Sequence, residues 1–269
     1  MIAALLLIIG IVAAENFYGD VARQIGGAHV AVTSILNNPD QDPHLFEATP
    51  SVARAVSGAQ IVVSNGLDYD PWIDKLLSAA RNPNRTTIVV GQLVLKKPGD
   101  NPHIWYDPHT MLVYATALAG TLAKIDPSNR ADYTRNLSTF HQSLEPIESR
   151  IAELHTRYAG EPVTATEPVF GYMLDALGLQ VRNARFQIAV MNNTEPGALE
   201  VARFENDLKT RNVKMLVYNS QASDPVAQRM VDLAKASGIP IVGATETEPP
   251  GVTYQAWMMR ELDAVEKAL

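Results

Sequence analysis

The sequence predicts an α/β protein of two lobes, each a mostly parallel sheet flanked by helices, joined by one long rigid helix. Three observations carry that expectation. Short apolar, β-branched runs alternate with amphipathic stretches; the runs fall into two groups; and a single strand-free amphipathic repeat of about 30 residues separates the groups.

The first group is Ile9–Ala14, Ala31–Leu36, Ile61–Ser64 and Thr87–Val90, and the second is Val163–Thr166, Met215–Tyr218 and Ile239–Val242. Strands covered on both faces of a parallel sheet are apolar throughout, with no polar alternation. The segment between the groups opens at Asp126-Pro127-Ser128, where Asp126 can cap a helix and Pro127 fits its first turn. Tyr133, Leu137, Phe140, Leu144, Ile147, Ile151, Leu154 and Tyr158 then step by fours and threes, the stripe of one amphipathic helix. At 1.5 Å per residue it reaches roughly 45 Å, a rod that restricts hinge bending. Pro146 removes one backbone hydrogen bond and predicts a kink near Glu145, with the stripe holding its phase. Ala159-Gly160-Glu161-Pro162 ends the helix. The expected division is residues 1–125, helix 126–158, and residues 159–269.

The totals agree with two domains, since 269 residues exceeds the roughly 100–200 of one. A net charge of -7, from 22 basic and 29 acidic side chains, leaves no basic field for a phosphate backbone, so neither DNA nor any other nucleic acid is an expected partner. Cysteine is absent, which removes thiolate zinc sites, disulfides and a lipid-bearing cysteine, so a metal site must use His, Asp and Glu. The run Met1 to Ile9 resembles the heart of a secretory leader, and Val12-Ala13-Ala14 resembles a cleavage site. Yet no Lys or Arg precedes the run, and a cut after Ala14 falls inside the strand Ile9 to Glu15. Residues 1–10 therefore read either as a leader remnant or as an extra apolar end on that strand. No other stretch approaches the ~20 apolar residues that span a bilayer.

His29, His141 and His155 read as solvated surface: the last two lie on the long helix off its stripe, and His29 follows the turn Gly26-Gly27-Ala28. His44 differs, because it follows Asp42-Pro43 in a polar loop after the strand Ala31–Leu36. His103 sits in Asn101-Pro102-His103-Ile104-Trp105, ahead of a helix starting near Asp107-Pro108. Loops at the carboxyl ends of parallel strands are where α/β proteins bind ligands, and each proline lowers the entropy lost on presenting the imidazole. The second half has no histidine beyond the long helix, so its ligands must be carboxylates. Glu167 follows Val163–Thr166, and Glu246 follows Ile239–Val242, in the same position relative to their strands. A lone loop histidine or strand-end glutamate is more often a surface or capping residue. Glu248 competes with Glu246, and spacing alone does not choose between them.

The chain resembles the metal-specific solute-binding proteins of zinc- and manganese-type ABC importers, the cluster A-I periplasmic binding proteins, from Ile11 onward. The resemblance is carried by Asn16-Phe17-Tyr18, Gln24-Ile25-Gly26-Gly27, Asp42-Pro43-His44, Asn65-Gly66-Leu67-Asp68, Asn101-Pro102-His103-Ile104-Trp105-Tyr106-Asp107-Pro108 and Tyr218-Asn219-Ser220-Gln221. It implies one ion in the cleft between the lobes, with His44 and His103 as ligands from the first lobe. It further implies Glu167 where many zinc-type members carry a third histidine, and an acidic residue at the Glu246 position. Manganese, zinc or iron as cargo, an ABC permease as partner, no catalysis, a monomer and secretion into the periplasm through a leader follow from the same resemblance; the lack of cysteine adds that the chain is not a lipoprotein. Zinc-type members often carry a His- and acid-rich loop where this chain reads Leu95-Lys96-Lys97-Pro98-Gly99-Asp100, so no scavenging loop is expected. Two imidazoles with two carboxylates lean toward manganese or ferrous iron, although zinc outranks manganese at almost any such site. The competing reading is a metal-dependent hydrolase or oxygenase built on two histidines and a carboxylate, with a coordination position left open. No nucleophile elbow, phosphate loop or dinucleotide glycine motif accompanies it.

Overall fold

A computed structural model of the chain describes residues 8–40, 43–222 and 224–269, and for His44 the backbone alone. Most of the apolar opening read as a leader, Met1 to Leu7, lies outside the described residues, as does Asp42 of the Asp42-Pro43-His44 motif. The chain divides into two compact units. One comprises the described part of Met1–Trp105 with His109–Glu145 and Thr247–Tyr254; the other comprises Tyr106–Pro108, Pro146–Glu246 and Gln255–Leu269.

The class is the predicted one. The first unit holds strands β1 (Ile9–Glu15), β2 (Val30–Leu36), β3 (Ile61–Ser64) and β4 (Thr86–Val89) in the order β2-β1-β3-β4. All pairings are parallel, and Ile11 of β1 lies in register with Val32 on one side and Ile61 on the other. The second unit repeats the plan with β5 (Pro162–Ala165), β6 (Gln180–Arg182), β7 (Leu216–Asn219) and β8 (Ile241–Ala244) in the order β6-β5-β7-β8, again parallel. The seven expected strands are present. β6 was not foreseen, because Gln180-Val181-Arg182 offers no apolar run and an edge strand buries too little to need one.

This strand order positions ligands. The chain leaves β1 toward β2 on one side while β3 lies on the other, so the loops leaving their carboxyl ends diverge and open a crevice there. β5, flanked by β6 and β7, does the same in the second unit. Behind the crevice in the first unit, Val12, Ala14, Val56, Val62 and Ile73 pack together. In the second, Phe186 meets Phe204 edge to face at 4.8 Å within a cluster that includes Leu208, Leu216 and Met230.

The long helix runs from Arg130 to Tyr158, 29 residues, after a 3-10 turn at Pro127–Asn129. It starts later than its sequence signal because the Asp126 carboxylate accepts from the Asn129 amide and, at 2.9 Å, from the Tyr133 hydroxyl. Pro146 is accommodated within it, and the boundary between the units falls at Glu145 and Pro146. Tyr133, Phe140 and Leu144 are buried on the first half of the stripe, and Ile147, Ile151 and Leu154 on the second. Each such side chain contributes roughly 1.5–3 kcal/mol of burial. No helix among the described residues is long and apolar enough to cross a membrane.

Candidate metal centre

In the first unit the motifs named from sequence converge on His103. Its imidazole is fully buried, and Asn101 Oδ1 accepts from both the His103 backbone N–H at 3.1 Å and ring Nδ1 at 2.6 Å. An oxygen that already accepts a backbone N–H can only accept from the ring as well, so Nδ1 carries the proton and Nε2 carries the lone pair. Aromatic edges fix the ring plane: Trp105 lies 5.2 Å away at 76° and Tyr69 lies 6.1 Å away at 69°. The preceding peptide is held too, because Asn65 Nδ2 donates to the Pro102 carbonyl at 3.0 Å while Asn65 Oδ1 accepts from Tyr18 at 2.7 Å.

Asn65 is placed by a strained turn at the end of β3. Gly66, Leu67 and Asp68 follow one another at φ 75, 60 and 62°, the left-handed region that leucine and aspartate rarely enter. Asp70 holds the turn by accepting from the Asn65 and Gly66 N–H groups at 2.6 and 2.8 Å. Burial nevertheless pushes the Asp70 carboxyl up to about 6. Beside it Glu15 at the end of β1 is wholly buried; burial first, then the Asp70 charge, raises its carboxyl well above the ordinary range and favours its neutral form.

In the second unit Glu167 follows β5, and its side chain is buried at the start of the 3-10 turn Pro168–Phe170. Glu246 follows β8 and is fully buried. Asn219 Nδ2 at the end of β7 donates to Glu246 Oε1, and the Glu246 N–H donates to Gln221 Oε1. The Gln221 N–H in turn donates to Asn219 Oδ1 at 3.0 Å, and the Asn219 N–H to Thr166 Oγ1 at 3.4 Å. Thr166, Asn219 and Glu246 thus stand at the ends of three neighbouring strands. The Asn219 amide thus orients the Glu246 carboxylate.

The backbone of His44 lies in the 3-10 turn Pro43–Leu45 after β2. Among the described residues no three His, Asp or Glu side chains are gathered closely enough to hold a metal ion. Asn16 clamps the Glu248 peptide in the first unit, Nδ2 donating to the Glu248 carbonyl at 2.6 Å and Oδ1 accepting its N–H at 2.9 Å. Burial and the Asp20 charge push its carboxyl up to about 9, partly offset by Arg23. The reading of His29 as solvated surface is corrected, because its Nε2 meets Asp132 at 2.9 Å and its ring packs against Tyr133. Asn101, Asn219 and Gln221 were visible in the sequence as motif residues, but their orienting roles were not; Asn101 acts on His103 two positions along its own motif, whereas Asn219 and Gln221 meet Glu246, a partner that only the fold supplies.

Comparison with known proteins identifies the family. The family described as zinc-uptake complex component A, periplasmic, matches residues 11–268. The manganese ABC transporter substrate-binding lipoprotein PsaA of Streptococcus anginosus is 25% identical over 96% of this chain and 88% of its own length. The iron ABC transporter substrate-binding lipoprotein MtsA of Streptococcus pyogenes serotype M1 is 24% identical over the same shares, 96% and 88%. The periplasmic zinc binding protein TroA from Treponema pallidum shares the fold with a TM-score of 0.80 at 18% identity, covering 97% of this chain and 99% of that one. A manganese-bound periplasmic metal binding protein from Candidatus Liberibacter asiaticus gives 0.75 at 20% identity, covering 97% and 100%. PsaA and MtsA overturn one expectation, that the chain is not a lipoprotein: both are named as substrate-binding lipoproteins. That expectation leaned on the lack of cysteine, and composition alone does not report how a chain is held at a membrane.

Proposed function

The chain belongs to the family of zinc-uptake complex component A, periplasmic, and from that premise we propose the ligands through which it serves an ABC importer. It is a metal-binding subunit that captures a divalent transition ion, manganese, zinc or iron, and delivers it to a membrane permease. The family transports, and the ion is cargo. We assign His44 and His103 from the first unit and Glu167 and Glu246 from the second as its ligands, in a monomer that performs no catalytic step. One observation carries the assignment: His103 is a buried imidazole whose Nδ1–H is fixed on Asn101, which is how proteins orient a metal-ligating histidine through Nε2.

The set of two imidazoles and two carboxylates favours harder ions such as manganese or ferrous iron, with supply and coordination geometry deciding against zinc. Binding requires deprotonated imidazoles, so affinity falls on acidification. The hydrolase reading finds no support among the relatives, which are named as substrate-binding proteins of metal ABC transporters. The test is elemental analysis of protein purified from metal-replete cells, with His103→Ala and Glu246→Ala beside the wild type. About one equivalent in the wild type and a loss in both variants supports the ligand set; full retention in either removes that residue from it.

A further inference from the structure

We infer that the segment Leu93–Lys97, tipped by Leu95, is a docking knob for an apolar, acid-rimmed socket on the membrane permease. The inference rests on the importer reading above and gives it a contact surface.

Leu95 is 91% exposed, above every other large hydrophobic side chain among the described residues, and Leu93 stands out at 36%. Leu95 also has φ 58°, a left-handed conformation that a leucine enters only when its surroundings impose it. The surroundings here are hydrogen bonds, not packing. After the short helix Val90–Leu93, the Val94 N–H donates to the Val90 carbonyl at 3.2 Å, that of Leu95 to Gln92 at 3.2 Å, and that of Lys96 to Gly91 at 2.9 Å. A glycine would take this turn without strain and without exposing apolar surface. The leucine thus carries two burdens for which the isolated fold shows no return, and a partner that buries its side chain supplies one. The exposed Lys97 follows two residues on, so the matching socket carries acid at its rim.

The knob is built onto the cargo-holding end of its unit. The Gly91 N–H donates to the Asn65 carbonyl at 2.9 Å, and a Cβ at Gly91 would come within 2.8 Å of Leu67 Cγ. The same Asn65 holds the Pro102 carbonyl beside His103. A subunit that hands over an ion must dock near the loops that bind it, and the two strained turns make this end stiff before contact, which lowers the entropy lost on docking. A lipid surface fits less well. A myristoyl chain by itself binds membranes only reversibly, and one leucine offers far less apolar area, while a net charge of -7 repels an anionic leaflet.

The experiment reconstitutes the cognate permease in proteoliposomes and measures manganese-dependent ATP hydrolysis and manganese uptake against the concentration of this protein. Leu95→Glu should raise the half-saturating concentration at least tenfold and Lys97→Glu several-fold, with manganese affinity within twofold of wild type. Leu95→Gly separates docking from folding: it relieves the turn and so raises the melting temperature, yet it also weakens docking. Wild-type half-saturation in Leu95→Glu and Leu95→Gly overturns the proposal. So does weakened metal affinity in Leu95→Glu, which would make the knob a support for the His103 loop. Binding of the wild type, but not Leu95→Glu, to vesicles of anionic phospholipid with unchanged uptake gives the surface to lipid, and a dimer lost in Leu95→Glu gives it to a second copy; either overturns the proposal. If the wild type binds manganese yet drives no uptake at any concentration, the importer reading fails, and the knob with it.

Discussion

Replacing Asn101 by alanine tests the central geometric claim without touching a ligand. Asn101 Oδ1 serves two N–H groups, the backbone N–H of His103 at 3.1 Å and ring Nδ1 at 2.6 Å. The two losses separate. The backbone N–H is orphaned whether or not metal is bound, so its cost, about 1–3 kcal/mol for a buried donor, falls on folding stability. The ring N–H is different, because without an acceptor the metal-free imidazole can carry its proton on Nε2 instead, and the ion must then bind against that tautomer. Outer-shell partners of this kind are worth 10–100-fold in metal affinity, or roughly 1.4–2.7 kcal/mol. Asn101→Ala should therefore weaken manganese and zinc binding by at least tenfold in a competition titration against a chromophoric chelator at neutral pH, with a melting temperature a few degrees lower. Asn101→Asp, which still accepts from Nδ1, should recover most of the affinity at neutral pH and lose it more steeply on acidification, since the carboxylate also stabilises the imidazolium. Wild-type affinity in Asn101→Ala would show that ring orientation does not come from this bond and would undercut His103 as a ligand.

Asn219→Ala should lower metal affinity by 10–100-fold through the freed Glu246 carboxylate while leaving the circular dichroism spectrum unchanged. Glu246→Gln and Glu248→Gln separate two neighbours: the first should abolish tight binding by isothermal titration, and the second should leave affinity within about threefold, because burial, with the Asp20 charge, pushes the Glu248 carboxyl up to about 9 and keeps it a neutral, poor ligand at neutral pH. Glu248→Gln has a different signature in pH. The folded-state carboxyl is raised from 4.5 to about 9, so the native state keeps a proton that the unfolded chain releases; that stabilisation is complete below 4.5 and lost as pH rises through about 9. Melting temperatures from about pH 5 to pH 9 should thus fall less in the variant than in the wild type, and parallel slopes would reject the assignment. Leu154→Ala, at a fully buried position on the long helix, should cost about 2–5 kcal/mol in urea unfolding.

What the sequence discloses and what it hides divide along physical lines. Ile61–Ser64 and the stripe from Tyr133 to Tyr158 are legible because burial on both faces, or along one stripe, forces a local pattern. β6 is not legible because Gln180-Val181-Arg182 pairs only with β5 at a sheet edge. His103 is legible through its proline-flanked loop and its motif, whereas Glu15 reads as nothing more than the end of a strand although it is fully buried beside another carboxyl. His29 misleads for the same reason: its partner Asp132 lies 103 positions away. Local chemistry can be read from neighbours in the chain, but partners assembled by a parallel sheet cannot, because each crossover separates them by tens of residues.

One device recurs around the site, and its chemistry explains the choice of residue. Asn101 orients His103, Asn219 orients Glu246, and Asn65 holds the Pro102 peptide, each a neutral amide at the carboxyl end of its unit's sheet. An amide can accept and donate at once, so it fixes direction on an imidazole or a carboxylate alike. A lysine or arginine in place of Asn219 would fix the Glu246 carboxylate equally well but would add a positive charge that, under the proposed ligand set, competes with the cation. An aspartate beside His103 would raise the imidazole's affinity for protons together with its affinity for metal. Neutral orienting groups set geometry without adding to charge attraction, which suits a protein that must hold its ion firmly in transit and release it at the permease.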